Sequence, residues 1–252
     1  MMHIKRKLLK IIKIALNPYR FFRSYQKIIL ISHMRSRSSV LSHVIGGNVN
    51  ISGYYEQHVD HKKYFFIQKI KSNLLVDNEL KSATEYLYDK VLHSHSDPKN
   101  LDDYLVIVMV REPRATIRSI VVMGEKTGSE WCDSSLAFLY YINRLSDILA
   151  MLKAQPTVPF CFITSEGFIE ETEQCLNKIA KYIGVDYLSP NYDLREKTGT
   201  AGAGDPSNNI KAGQIIHTES QEDIYLDEDL LEKADNVYND FIKQVGSLQN
   251  RM

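Results

Sequence analysis

An α/β fold, a P-loop-like three-layer sandwich with a central parallel sheet covered by helices on both faces, is predicted by three stretches of the chain. Residues 28–31, 105–110 and 158–163 are short apolar, β-branched runs of the length of buried strands. Each is followed by a turn and then by apolar residues at helical spacing. Strands that alternate with helices pair in parallel, with a helical layer on each face. Ligands of such sheets bind beyond the strands' C-terminal ends, and two of these ends run into basic turns.

In chain order, residues 1–24 read as a basic amphipathic segment ahead of a single domain over 25–252. Leu8, Leu9, Ile11, Ile12, Ile14 and Leu16 are interleaved with Lys5, Arg6, Lys7, Lys10 and Lys13; Arg20 and Arg23 follow, and no acid occurs before residue 24. The longest apolar run is far too short to span a bilayer, and no small-residue cleavage site follows. Two readings fit: a helix lying on an anionic membrane surface through residues 1–23, or a solvated helix packed on the domain.

The stretch from Lys27 to Gly47 organises the rest. Ile28 to Ile31 form the strand; His33, Arg35, Ser36, Arg37, Ser38 and Ser39 make a polar turn; Val40, Leu41, Val44 and Ile45 then recur at helical spacing. A helix start offers unpaired N–H groups and a partial positive charge to an anion. Arg35 adds a fixed charge and the serines add hydroxyl donors. The Gly-Lys pair of a nucleotide-hydrolase loop is absent. Gly46-Gly47-Asn48 should end the helix by offering left-handed positions.

Residues 50–58 read as extended and 60–76 as an excursion without a clean period. Residues 78–92 read as a helix with Leu80, Ala83, Leu87 and Val91 on one face, and 93–98 as a turn. The strand at 105–110 ends in Arg111; Pro113 suits a helix N1 position, and Ser119 lies eight residues after Arg111, able to face the same anion. Arg118, beside it, should face outward. Asp133 should cap a long helix to about Ala154. After the strand at 158–163 a helix runs from Glu170 to Ile183 and stops at Gly184. Residues 198–213 are Gly-rich, and a helix from Asp227 to about Val245 closes the chain.

Composition narrows the function classes. The chain has 31 Lys+Arg against 31 Asp+Glu, so no global charge points to nucleic acid. Cys132, Cys161 and Cys175 lack metal-ligand spacing and read as free thiols of a reducing, cytoplasmic compartment.

The turns after residues 31 and 110 together resemble the sulfotransferases that use 3′-phosphoadenosine 5′-phosphosulfate (PAPS). Arg35, Ser36, Ser38 and Ser39 are similar to that family's loop for the 5′-phosphosulfate; Arg111 and Ser119 are similar to its Arg and Ser for the 3′-phosphate. Arg37 stands where the family usually has Gly, so this position must avoid positive φ or tolerate strain. The strand–Glu166–helix–Gly184 segment also resembles the family.

The resemblance implies transfer of a sulfuryl group from PAPS, as co-substrate, to an acceptor hydroxyl, without a metal. Arg111 stands where a magnesium-using enzyme would be expected to offer an Asp. Lys90 resembles the lysine that stabilises the leaving group, together with Arg35. Glu56, 21 residues after Arg35, resembles the general base of the tyrosylprotein sulfotransferase branch. His93, one position off the cytosolic branch's Lys-Thr-His spacing, is the alternative base, with His95 and His58 behind it. Arg195, Lys197 and Lys211 flank the Gly-rich stretch, which resembles the family's cofactor-covering segment and should form a lid; the resemblance implies that these cations bind the cofactor, one of them at the 3′-phosphate. Residues 57–77 and 123–135 should shape the acceptor pocket, with a carbohydrate or glycolipid hydroxyl as the expected acceptor, at the inner face of the membrane if residues 1–23 bind it. The other readings are a catalytically inactive membrane-docking module and a P-loop kinase.

Overall fold

The computed structural model describes residues 2–198, 208–216 and 224–250. Five strands, β1 (Gln26–Ser32), β2 (Ile51–Ser52), β3 (Tyr86–Val91), β4 (Leu105–Val110) and β5 (Phe160–Thr164), form one sheet in the order β2-β3-β1-β4-β5, with every pairing parallel. The register aligns Ile31 with Val91 and Val108, and Val110 with Thr164. The strands' C-terminal ends therefore lie along one rim. The chain's path diverges to either side of β1, which opens a crevice at that rim.

Alternate residues of the central strands feed opposite cores, as a sheet covered on both faces requires. Ile29, Ile31, Val106, Val108 and Val110 pack with α5 (Pro113–Thr127), α6 (Ser134–Ala154) and α9 (Glu228–Gln249). Ile28, Leu30, Ile107, Met109, Cys161 and Ile163 pack with α3 (Ser38–Gly47), α7 (Ser165–Glu170) and α8 (Thr172–Ile183). Asp133 caps α6 and Asp227 caps α9 through their carboxylates, and Pro113 opens α5. A third cluster joins Leu87 and Val59 to α4 (Phe66–Val76), with Ile14 of α1 (Met2–Leu16) and Phe21 of α2 (Pro18–Phe22) against it.

Four local expectations are corrected. Residues 78–92 are not a helix: 86–91 are β3, and Lys90 thus sits on a central strand. The i, i+3, i+4 spacing of Leu80, Ala83, Leu87 and Val91 is coincidental, because Tyr86 and Tyr88 face one core while Leu87 faces another. Part of the 60–76 excursion is α4, whose Ile70, Leu74 and Leu75 are buried. Gly46-Gly47-Asn48 adopts no left-handed conformation. Gly46 is needed for a different reason: a Cβ there would collide with the Gly53 carbonyl and Tyr54. Finally, Arg118 is half-buried, and its Nε is out of water without a hydrogen-bond partner. The Gly-rich stretch, including Gly204-Asp205-Pro206, lies mostly outside the described residues at 199–207.

Candidate functional site

The loop between β1 and α3 turns through two strained residues. Arg35 has φ 61° and Arg37 φ 63°, both left-handed, and an L side chain in that region costs about 1–2 kcal/mol. Arg37 is thus strained, the second of the two outcomes open to it. Buried hydroxyls over-determine the turn. Ser32 Oγ donates to Met109 O at 2.6 Å, and Ser36 Oγ lies 2.6 Å from Ser32 Oγ and 2.8 Å from His33 O. Strain held this way marks a loop shaped for a ligand rather than for its own stability.

His33 is the link to β4. Its Nε2 accepts from the Arg111 backbone N–H at 2.9 Å, and its Nδ1 lies 2.8 Å from Met34 O, so these partners assign the Nδ1–H tautomer. Burial pushes its pKa down to about 4, which keeps the ring neutral and the acceptor role available.

Three arginines meet over this turn. Arg35 Nε donates to Ser119 Oγ at 2.8 Å, Arg111 Nη1 donates to the Arg35 carbonyl at 3.2 Å, and Arg37 Nη1 donates to Ser165 Oγ at 3.2 Å. The Arg111 Nε is buried with no hydrogen-bond partner. Burial first, and then the charge of Arg37, lower its pKa to about 10. An anion between these groups would supply the missing acceptor and offset the repulsion. Glu166 stands near: Oε1 accepts from Glu112 N at 3.4 Å, and Oε2 is buried without a partner. Burial raises the pKa of Glu166 against the pull of Arg111.

Lys90 arrives from β3. It is 2% exposed, and its Nζ donates to Ser39 Oγ in the first turn of α3 at 3.1 Å. Ser38 is buried in the same turn. A lysine this deep beside a helix N-terminus is not a solvated surface residue. Its neighbour Asp89 pins the 56–61 segment to the strand. Oδ1 accepts from Gln57 N at 2.9 Å and Lys90 N at 2.8 Å, and Oδ2 pairs with His61 Nε2 at 2.9 Å, while His61 Nδ1 meets Tyr104 OH at 3.1 Å.

This anchoring sets Glu56 within electrostatic reach of Lys90. Burial raises the Glu56 pKa; the charges of Lys90 and His58 and a hydrogen bond with the Leu92 backbone oppose the rise. His58 lies 3.8 Å away. His93 stacks on His95, with centroids 5.7 Å apart and planes at 18°, and leans on Tyr140 at 5.5 Å. Burial, and then His95, bring the His93 pKa down to about 4.

Two α6 residues, one turn apart, tie the halves of the site together: Tyr140, which the sequence assigns only to the apolar side of that helix, and Arg144, which it does not single out. The Tyr140 hydroxyl accepts from Met34 N and donates to Leu92 O, both at 2.8 Å. Buried Arg144 donates to Ser32 O at 2.9 Å and Val91 O at 3.3 Å, and grips Asp97 through two bonds of 2.6 and 2.9 Å. Only their i, i+4 spacing on α6, which sets a hydroxyl and a guanidinium on one side of the helix, could have flagged them.

The three C-terminal cations are held elsewhere. Arg195 donates to Gly46 O at 2.6 Å and to Glu79 at 3.1 Å, at the far end of α3 from the loop, and covers the Tyr54 ring. Lys197 pairs with Asp77 and Tyr55, and Lys211 is exposed. Thr198 reaches the middle of the loop helix, its Oγ1 2.9 Å from His43 Nε2. Among the described residues no group of three His, Cys, Asp or Glu could hold a metal ion.

No protein-family model matches the chain, and no curated protein matches it in sequence. Solved structures do match. The sulfotransferase domain of the curacin biosynthetic pathway superposes with a TM-score of 0.58 at 16% identity, covering 89% of this chain and 98% of that one. The sulfotransferase domain of the Synechococcus PCC 7002 olefin synthase gives 0.55 at 18% identity, over 89% and 95%. A sulfotransferase from Alicyclobacillus acidocaldarius gives 0.55 at 10% identity, over 90% and 96%. The chain has the sulfotransferase fold.

Proposed function

We propose that the protein is a PAPS-dependent sulfotransferase acting on an acceptor hydroxyl. One observation carries this reading: Arg35, from the first basic turn, is hydrogen-bonded to Ser119, from the second, while Arg111 donates back to Arg35. The two turns thereby make one cationic site at the sheet rim.

The residues fit such a ligand. The buried, unsatisfied Nε of Arg111 wants an acceptor, and the left-handed turn at Arg35 and Arg37 shapes the loop around the α3 N-terminus. PAPS, when bound, supplies a sulfuryl group attached to a good leaving group. Arg35, Ser36, Arg37, Ser38, Ser39 and the α3 N-terminus would hold its phosphosulfate end, and Arg111 with Ser119 its 3′-phosphate. Lys90, a fixed charge in a dry setting, would stabilise negative charge developing at the bridging oxygen. Glu56 would take the acceptor's proton: burial raises its basicity, and the Lys90 charge opposes part of that rise. His93 is the alternative base. Arg195, Lys197 and Lys211 enter this proposal only as part of the covering segment, since each has other surroundings here.

For the acceptor we propose a carbohydrate or glycolipid hydroxyl. Trp131, Tyr140, His93 and His95 form a run of ring contacts, rings on which a sugar can stack, and Tyr140 in that run feels the charge of Glu56. Free thiols at Cys132, Cys161 and Cys175 suit a cytoplasmic setting, and residues 1–23 a contact with the inner membrane face.

Calorimetry with adenosine 3′,5′-bisphosphate tests the reading, followed by transfer from radiolabelled PAPS across a panel of hydroxyl acceptors. Micromolar binding without magnesium is expected. Absence of binding, or binding that needs magnesium, would return the inactive-module or kinase readings.

A further inference from the structure

Helix α1 is mounted inside out. Its charged side faces the protein: Lys10 Nζ donates to Asn73 Oδ1 at 2.8 Å, Lys13 Nζ to Asn78 Oδ1 at 2.7 Å, and Arg6 stands 3.7 Å from Asp77, all at or beyond the C-terminal half of α4. Ile14 is the α1 residue packed into the third apolar cluster. At 100° per residue, Lys10, Lys13, Ile14 and Asn17 share this docked side. The opposite side is apolar and open to solvent: Leu8 is 58% exposed, Ile11 65%, Ile12 45% and Leu16 72%.

An amphipathic helix that merely covered its domain would be turned the other way, with Leu8, Ile12 and Leu16 inward. Here polar bonds hold the helix in the reverse sense. Below it Lys71 Nζ donates to the carbonyls of Phe21 and Arg23 at 3.0 and 2.7 Å, so the chain leaving α1 is fastened as well. A patch of this kind on a soluble chain marks a contact surface.

Charge names the occupant. Seven of the chain's 31 cations and none of its 31 acids lie in residues 1–23. Lys5 and Lys7 are exposed, Lys5 in line with Leu8, Ile12 and Leu16 at the first turn of the apolar stripe and Lys7 just outside its edge at Ile11, with stems long enough to follow it while their ammonium groups reach a polar boundary. A second copy of the chain is disfavoured, because a two-fold contact through this face would set cations against cations. Apolar side chains within a cationic border match the acyl and headgroup layers of an anionic bilayer.

We infer that α1 is a preassembled docking face for an anionic lipid surface, with Leu8, Ile11, Ile12 and Leu16 entering the interface while Lys10 and Lys13 stay on α4. Because the helix is already formed and fastened, docking needs no coupled folding and positions the whole domain at the bilayer. Taken with the transferase reading, on which this last step rests, the acceptor hydroxyl belongs to a membrane-resident molecule.

Flotation of the full chain with vesicles tests the docking. It should float with vesicles of phosphatidylglycerol and phosphatidylcholine in equal parts, more weakly at high salt, and poorly with phosphatidylcholine alone. Leu8→Ser/Ile12→Ser/Leu16→Ser should cut binding by about a hundredfold. None of these side chains belongs to a buried apolar cluster, so the melting temperature and adenosine 3′,5′-bisphosphate affinity should stay close to wild type. A wild-type chain that does not float, a triple variant that floats as well as wild type, or a wild-type dimer that the triple variant dissolves without any vesicle binding would overturn the inference. Flotation with no nucleotide binding would leave the docking face standing and remove the transferase reading; the converse would do the opposite.

Discussion

The Arg35 Nε–H points at Ser119 Oγ across 84 residues of sequence, at 2.8 Å. A loop after β1 and a helix after β4 become one site through this bond, and the Arg111 guanidinium closes it by donating to the Arg35 carbonyl. The arrangement makes each partner's loss distinguishable.

Arg35→Ala and Arg111→Ala should each weaken adenosine 3′,5′-bisphosphate binding by about a hundredfold or more, since each removes a charge-assisted donor set. Ser119→Ala removes a single neutral donor and should cost about tenfold. Isothermal calorimetry reads all three; equal, small losses would mean that the arginines are structural.

Glu56→Gln should leave nucleotide affinity intact and lower kcat by about 10²–10⁴-fold. The base must be ionised, so wild-type kcat should fall as pH drops through a Glu56 pKa that burial holds above its ordinary 4.5. Lys90→Met removes the charge that opposes this rise and should move the acid limb of the kcat profile to still higher pH. Normal turnover in Glu56→Gln would hand the role to His93.

Tyr140→Phe deletes the hydroxyl between Met34 N and Leu92 O. Both half-buried backbone groups lose this partner, at about 1–3 kcal/mol of stability. Urea denaturation should show that loss, with kcat reduced more than nucleotide affinity, because what slips is the Leu92–His93 side relative to the β1–α3 loop.

Asp97→Ala strands the buried Arg144 guanidinium and should cost about 3–5 kcal/mol, whereas Arg144→Met/Asp97→Leu should recover much of it. Denaturation midpoints of the two variants decide this directly; a single variant as stable as the double would mean that water reaches Arg144.

Much of this was readable before any coordinates. Strands at 28–31, 105–110 and 158–163, the cap at Asp133, the start of the last helix at Asp227, Pro113 at a helix start and Gly184 at a helix end are local signals, set by propensity, capping and backbone conformation within a few residues. The two cationic turns were readable for the same reason. β3 was not, because a strand buried on both faces, carrying Asp89 and Lys90 inside it, gives neither alternation nor an unbroken apolar run.

What the sequence determined by itself is therefore the order of elements and the chemistry available at each strand end. Only the tertiary structure decided which of those groups meet. It put Lys90 on a buried strand against Ser39, tied Tyr140 and Arg144 across the loop, drew Arg195 and Lys197 away to Glu79 and Asp77, and turned the apolar side of α1 outward. Such pairings depend on distances between segments far apart in the chain, set by sheet register and helix packing, and no local pattern of residues encodes them.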